Sequence, residues 1–260
     1  MSAPMIIPTL MYHAISKETK SNKYIIEEKQ FLRQLEFLSH HAYTGISAFD
    51  YYKSLIDPLC KIPEKSVMIT FDDGHESDYT IALPLLKKYN FIANFFITTD
   101  WIGKTGYMNP KQLVSLRQEG MLVQSHAKTH AFLDAMNDDE INRELVQSKK
   151  TLEDVLGEKI SFLSFPGGRY NDAVIQGARA AHYSALFCSR PFAAQRCDDI
   201  YVIGRYAIKQ QPNSSEFEKA VRLDSFFTKK TRALYSTKYL LKKTLGTSVY
   251  YQLWKKINKK

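Results

Sequence analysis

Two adjacent carboxylates end an apolar segment near residue 70. Residues 66–71 read SVMITF, and Asp72, Asp73 and Gly74 follow directly. The apolar run predicts a buried parallel strand, and catalytic groups gather at the carboxyl ends of such strands. A single Asp would serve as the N-cap of a following helix, but a cap does not need two acids. Since successive strand residues point in different directions, the two carboxylates can have different roles.

A pair of histidines follows another strand-like segment. In QSHAKTH, residues 124–130, His126 and His130 are four residues apart, so on a helical turn both imidazoles would face one way. Two imidazoles at this spacing are a common half-site for a divalent metal, although ordinary surface or core histidines are the alternative for this segment taken alone. With the two acids, they predict a site of two histidines and one carboxylate.

A glycine turn follows a third strand-like segment. Residues 164–168 read SFPGG, and Gly167 and Gly168 would let the backbone approach a ligand closely. Such a turn can direct a backbone N–H at a developing oxyanion, and a plain strand-to-helix turn is the alternative.

The elements that must position these groups alternate along the chain. Apolar runs predict strands over 6–15, 66–71, 91–99, 121–125, 160–165, 183–189 and 201–209. Helical spacing predicts helices over 27–43, 79–90, 109–120, 137–159 and 171–182. This alternation indicates parallel strands joined by crossovers, in an open α/β sheet or a barrel.

The basic charge is confined to one end of the chain. The net charge is +9, yet residues 226–260 hold ten Lys or Arg and no acid, so the rest is nearly neutral. We expect a body over 1–225 and a basic amphipathic helical tail over 226–260. One apolar stripe of the tail contains Val249, Tyr250, Leu253, Trp254 and Ile257, and a second contains Leu234, Leu241 and Leu245. The tail could bind an anionic membrane surface or dock on the body, and nucleic acid is a weaker option.

Other features bear on the compartment. No apolar run reaches the roughly 18 residues of a membrane span, and the first residues do not read as a signal peptide. Cys60, Cys188 and Cys197 are an odd number without Cys-x-x-Cys spacing, which indicates free thiols in a reducing compartment. These features favour a cytoplasmic protein, peripheral at the inner face of the plasma membrane.

The three motifs together resemble the polysaccharide deacetylase family, carbohydrate esterases that remove N- or O-acetyl groups from sugars. TFDDG, SHAKTH and SFPGG match its motifs in order and spacing, and the resemblance covers roughly residues 5–210. It implies a distorted (β/α)7 barrel with a divalent metal at the mouth of the strands, zinc foremost and Ni2+ or Co2+ as alternatives. Asp73, His126 and His130 would hold the metal, and Asp72 would be the general base.

The sequence departs from the family pattern at two positions. The third motif usually begins with an Arg that orients the base, but Ser164 stands here and Arg169 lies beyond the glycines. The usual Leu-x-His of the general acid is also missing, and Arg205 stands on the last strand instead. We expect Arg205 to orient Asp72 in place of the missing Arg.

The N-terminal segment PTLMYHAI, residues 8–15, resembles a branch that includes poly-N-acetylglucosamine deacetylases of bacterial biofilm systems. That branch has a circularly permuted barrel in which a histidine of the first strand is the general acid, a position that His13 matches. His75 lies near the site without a matched role.

The resemblance implies hydrolysis of an acetyl group, N-acetyl foremost, from a sugar of a cell-surface polysaccharide or its precursor. The backbone N–H of Gly167 would bind the oxyanion, and Arg169 and Arg205 would lie at the substrate. A lipid- or nucleotide-linked sugar is the alternative substrate. The alternative classes are a non-haem iron oxygenase, which suits the same ligand set, and a catalytically silent barrel whose tail binds anionic lipid or nucleic acid.

Overall fold

A computed structural model describes residues 6–191, 194–197, 200–210 and 214–245. The stripe predicted over 249–257 lies outside the described residues.

The strands are short and spread along the whole body. They are β1 Thr9–Tyr12, β2 Ile15–Ser16, β3 Ile26–Glu27, β4 Thr44–Gly45, β5 Ser66–Asp73, β6 Ala93–Ile97, β7 Leu122–Ser125, β8 Phe162–Ser164, β9 Ala185–Cys188, β10 Ala194–Cys197, β11 Ile200–Gly204 and β12 Tyr206–Ala207.

Helices connect most of the strands. They are α1 Glu28–His40, α2 Ala48–Ile56, α3 Leu83–Lys88, α4 Pro110–Gln118, α5 Asp138–Leu156, α6 Asp172–Ala180, α7 Ser215–Val221 and α8 Ser225–Leu245. Local sequence explains several starts, because Ser47, Asn109 and Asn137 each form a capping box with the third residue of the helix that follows.

One parallel sheet curls until it nearly closes. Its wall runs from β1 through β5, β6, β7, β8 and β9 to the segment that contains β11 and β12. Within this segment β11 pairs with β9 whereas β12 pairs with β1, so one stretch of chain around Arg205 joins both edges. The predicted (β/α)7 barrel is therefore confirmed. Helix α2 and strand β10, which pairs antiparallel with β11, were not predicted.

The two faces of the sheet build two apolar layers. Side chains along β5 alternate between the two faces of the sheet. Met68, Thr70 and Asp72 lie on one face, and Ile69 and Phe71 lie on the other. Met68 packs in a cluster with side chains of β6, β8, β9 and β11, which fills the barrel interior. Ile69 and Phe71 belong to the larger cluster under the helices. Asp72 therefore lies at the top of the interior layer, where the wall ends in the mouth.

Helix α8 has a docked side and an open side. Phe227 packs against the core and against Tyr206, with ring centroids 5.5 Å apart, and Arg232 Nε donates to the Pro191 carbonyl. In contrast, Leu234 and Leu240 are 52% and 59% exposed. No helix in the described part of the chain is both long enough and apolar enough to cross a bilayer.

Candidate metal centre

Three predicted ligands converge at the mouth of the barrel. Asp73 Oδ1 lies 3.5 Å from His126 Nε2 and 3.3 Å from His130 Nε2. One ligand atom from each residue lies within 4.8 Å of the others, the only such cluster of three or more candidate ligands among the described residues. Asp73 Oδ1 is buried without a hydrogen-bond partner, so it leaves an acceptor facing two imidazoles. A divalent cation with nitrogen and oxygen ligands fits this donor set.

The backbone around these ligands is held in an unusual conformation. Asp73 has a φ of 82° and His130 a φ of 65°, and Ala127 between the histidines has a φ of 60°. Positive φ is costly for residues with a Cβ and persists where the surrounding structure imposes it. At Asp73 it departs from the extended geometry of β5, and His126 Nε2 lies 3.5 Å from Asp73 Oδ1 and 3.9 Å from Asp72 Oδ2.

His126 is fixed in one tautomer. Its Nδ1 lies 2.9 Å from the carbonyl oxygen of Ser164, which can only accept, so Nδ1 carries the proton. Nε2 therefore presents its lone pair toward Asp73, as a metal ligand must. Burial lowers the pKa of His126 and favours this neutral form, although Asp72 and Asp73 oppose the shift.

Asp72 forms a buried ion pair with Arg205. The distances are 2.6 Å from Nη1 to Oδ1 and 2.7 Å from Nη2 to Oδ2, and Ser164 Oγ donates to Oδ2 at 3.2 Å. Arg205 Nη1 also donates to Thr70 Oγ1. Burial by itself would raise the pKa of Asp72, but the charge and hydrogen bonds of Arg205 hold it below its ordinary value. Asp72 is thus an ionised, oriented acceptor beside Asp73, His126 and His130, which we call the triad.

His13 lies beside Asp72 at the end of β1. The register pairs Tyr12 with Phe71, which brings His13 next to Asp72 on the neighbouring strand. Its Nδ1 is buried without a hydrogen-bond partner, and its ring lies 5.2 Å from the ring of Tyr24. Burial lowers the pKa of His13, and the charges of Asp72 and Asp73 oppose that shift.

The glycine turn lies on another side of the mouth. Gly167 is exposed with a φ of 63°, and a Cβ there would come within 2.6 Å of the Phe132 ring. Arg169 contacts the loop that follows His130. Its Nε and Nη2 each lie 3.0 Å from Asp134 Oδ2, and its guanidinium stacks on Phe132. It therefore joins the third motif to the loop that follows His130.

A row of aromatic rings that sequence reasoning missed flanks the centre. Trp101 stacks on His130, Tyr107 lies against Trp101, and His75 stacks on Tyr107. His75 Nε2 in turn lies 3.5 Å from Asp73 Oδ2. The only signal in the sequence was a Trp and a Tyr just after the third predicted strand, which do not stand out from ordinary loop aromatics.

The chain is similar in sequence to known proteins. The family model described as polysaccharide deacetylase matches residues 61–186. YxkH of Bacillus subtilis, named as a polysaccharide deacetylase, is 30% identical over 215 residues, which are 82% of this chain and 75% of that protein. A poly-β-1,6-N-acetyl-D-glucosamine N-deacetylase of Staphylococcus aureus is 27% identical over 238 residues, covering 85% of this chain and 78% of its own.

A solved structure extends the likeness to three dimensions. The Streptococcus pyogenes deacetylase PplD, in complex with acetate, matches with a TM-score of 0.78 and 27% identity. The match covers 84% of this chain and 99% of that one.

The buried ion pair between Asp72 and Arg205 leads to a prediction about stability. In the metal-free protein, Arg205→Met leaves the Asp72 carboxylate buried without the Arg205 guanidinium. We expect the free energy of unfolding, measured in urea, to fall by on the order of 3–5 kcal/mol. Adding Asp72→Asn should restore much of the loss, because the uncompensated charge is then gone.

Arg117→Met is the matched control. The side chains of Arg117 and Glu158 are 25% and 46% exposed, and Arg117 Nη1 also donates to the Met121 carbonyl at 2.6 Å. Losing both contacts should cost on the order of 1–2 kcal/mol, less than the loss expected at Arg205. A loss at Arg205 no larger than that at Arg117 would contradict the prediction.

Proposed function

The chain belongs to the polysaccharide deacetylase family, and we propose that it hydrolyses an acetyl group, N-linked foremost, from a sugar of a cell-surface polysaccharide or its precursor. The observation that carries the proposal is the meeting of the Asp73, His126 and His130 ligand atoms beside an ionised Asp72. The substrate class follows the Staphylococcus aureus relative, whose name specifies an N-acetylglucosamine polymer. Family membership favours hydrolysis over oxygenase chemistry with the same ligands.

Asp73, His126 and His130 would hold a divalent cation, with zinc as the first candidate and Ni2+ or Co2+ as alternatives. Such a cation lowers the pKa of water and polarises an acetyl carbonyl. Asp72 is held as an anion by Arg205, so it can take the proton of the attacking water. In this proposal Arg205 orients the base and Arg169 positions a substrate-facing loop through Asp134.

The remaining two residues complete the proposed reaction. The backbone N–H of Gly167, on its exposed turn, is the proposed donor to the oxyanion. His13 is the proposed general acid, because an amine leaves poorly until it is protonated. Its position beside Asp72 and its unpaired Nδ1 support this role. The products are acetate and a free amino sugar.

Acetate release tests the proposed function directly. We expect release from an N-acetylglucosamine oligomer, loss after chelation, and recovery on adding zinc. Asp72→Asn should retain the metal and lower kcat by roughly 10²–10⁴, since it removes the base but no ligand. Metal content by elemental analysis separates the two roles.

The same assay with lipid- and nucleotide-linked acetyl sugars compares the candidate substrates. The absence of acetate release from all three substrate classes by the metal-loaded protein would refute the proposed function.

The proposed role of His13 as the general acid leads to a separate prediction. His13→Ala should lower kcat on an N-acetyl substrate by roughly 10²–10⁴, the contribution expected of a general acid. An activated acetyl ester should lose much less, because its leaving group needs no proton. Equal losses on both substrates, or activity within a few-fold of wild type on the amide, would remove His13 from the mechanism.

The open side of α8 supports a membrane-surface role as part of the proposal. Leu234, Leu240 and Leu241 are exposed beside the exposed basic residues Lys230 and Lys238, and the tail contains no acid. A basic helix with exposed apolar side chains suits an anionic lipid surface. The expected cytoplasmic location at the inner membrane face remains a prediction, and nucleic acid stays the weaker alternative.

Vesicle sedimentation tests this surface without disturbing the core. Because Phe227 packs on the body, charge reversal is cleaner than truncation. Changing Lys229, Lys230 and Lys238 to Glu should weaken binding to phosphatidylserine vesicles by at least roughly 100-fold, at about 1 kcal/mol per basic residue. The control changes three exposed lysines of the body, Lys29, Lys111 and Lys159, in the same way. Equal losses in both variants would argue against a membrane role for α8.

A further inference from the structure

The two histidines of the triad are oriented in different ways. His126 is buried, and its Nδ1 donates to the Ser164 carbonyl, the usual way in which a protein fixes a ligating imidazole. His130 has no such bond among the described residues. Its contacts there are Nε2 with Asp73 and the ring contacts with His126 and Trp101. Its side chain is also 30% exposed, so surrounding core atoms do not immobilise it.

Trp101 supplies the missing constraint. Its ring centroid lies 5.0 Å from that of His130 with an interplanar angle of 26°, which is an offset stack. Tyr107 supports the indole with its centroid 4.8 Å away, and His75 stacks on Tyr107 at 4.9 Å. The imidazole is thus held at the end of a continuous row of packed rings.

The backbone keeps the two stacked residues in register. Thr99 N–H donates to the Ala127 carbonyl at 3.2 Å, and Asp100 N–H donates to the Lys128 carbonyl at 2.9 Å. Lys128 Nζ also contacts both carboxylate oxygens of Asp100 at 2.9 Å. The short 3-10 turn that carries Trp101 is therefore fastened to the loop that carries His130, so the indole and the imidazole keep their relative position.

We propose that Trp101 is a positioning residue for the metal, which fixes the His130 imidazole by stacking where a hydrogen bond would otherwise do so. The inference rests on the proposed metal site and adds to it a residue outside the ligand set. Stacking restricts the plane of the ring without engaging Nδ1, so Nδ1 stays available to water or substrate. An imidazole free to rotate would have to be ordered when the cation binds, which lowers affinity.

Metal affinity of the purified protein tests the proposal independently of catalysis. Cobalt(II) binding would be measured by competition with a chromophoric chelator. Trp101→Leu should weaken binding by about 10–100-fold, the usual effect of losing a partner that orients a metal ligand. Trp101→Phe keeps a flat ring and should lose only a few-fold. Tyr107→Leu removes a ring that touches Trp101 but not His130, so its effect should be smaller than that of Trp101→Leu.

Tryptophan fluorescence tests whether Trp101 lies close to the bound metal ion. The chain contains two tryptophans, so Trp254→Phe leaves Trp101 as the single indole. Cobalt(II) should quench its emission at one equivalent, and zinc should reverse the quenching by competition. Thermal melting of each variant in chelator separates loss of affinity from loss of folding, and the conservative Phe variant remains informative if the Leu variant fails to fold.

The outcomes are distinct. Trp101→Leu and Trp101→Phe both binding cobalt within about twofold of the unaltered protein would overturn the positioning role and leave the deacetylase proposal standing. Failure of the unaltered protein to bind zinc, Ni2+ or Co2+ would overturn both the positioning role and the deacetylase proposal. Graded weakening, Leu more than Phe, at unchanged melting temperature is the expected result.

Discussion

The bidentate ion pair between Asp72 and Arg205 is the constraint on which the site depends. Asp72 is the penultimate residue of β5, the strand next to β1. Arg205 lies between β11 and β12, where the chain passes from one edge of the barrel to the other. The pair therefore bonds across the interior at the point where the wall closes. Because both groups are buried, neither can be lost without leaving a charge that the interior cannot solvate. Closure of the barrel and the state of the proposed base are thus set by the same contact.

Ser164 shows how this geometry is accommodated. The residue at the start of the third motif is small and buried, and its hydroxyl accepts from Arg205 Nη2 at 2.7 Å. A long side chain at that position would occupy the space that the guanidinium now fills. The Ser164 carbonyl meanwhile holds His126 in its ligating tautomer. One residue therefore supports both the proposed base and the proposed metal centre, with its side chain and its backbone respectively.

The two adjacent acids differ in backbone conformation. Asp72 follows the regular inward alternation of β5, whereas the positive φ of Asp73 turns its carboxylate to the mouth. Burial would raise the pKa of Asp73, but the neighbouring His130 and His75 lower it, so it remains an anion. The positive φ angles of Asp73 and His130 occur where the proposed ligands meet, as expected where packing imposes a functional geometry. Helix α8 contributes nothing to this centre in its described contacts, and its docked and open sides point to a separate task.

Sequence by itself determined the strand and helix alternation and the adjacency of two acids, because these depend on local periodicity and on short motifs. The motifs also predicted that Asp73, His126 and His130 meet, and the structure brings their ligand atoms within 4.8 Å of one another. The sequence also indicated Arg205 as the partner of Asp72, although only by the absence of the usual Arg. Tertiary structure alone decided that Arg169 binds Asp134, that Trp101 stacks on His130, and that one side of α8 is docked while the other is open. The first two contacts join residues 35 and 29 positions apart, and the third depends on which side of a helix meets the body. Local propensity carries no information about either, since both follow from how the closed barrel brings its loops together.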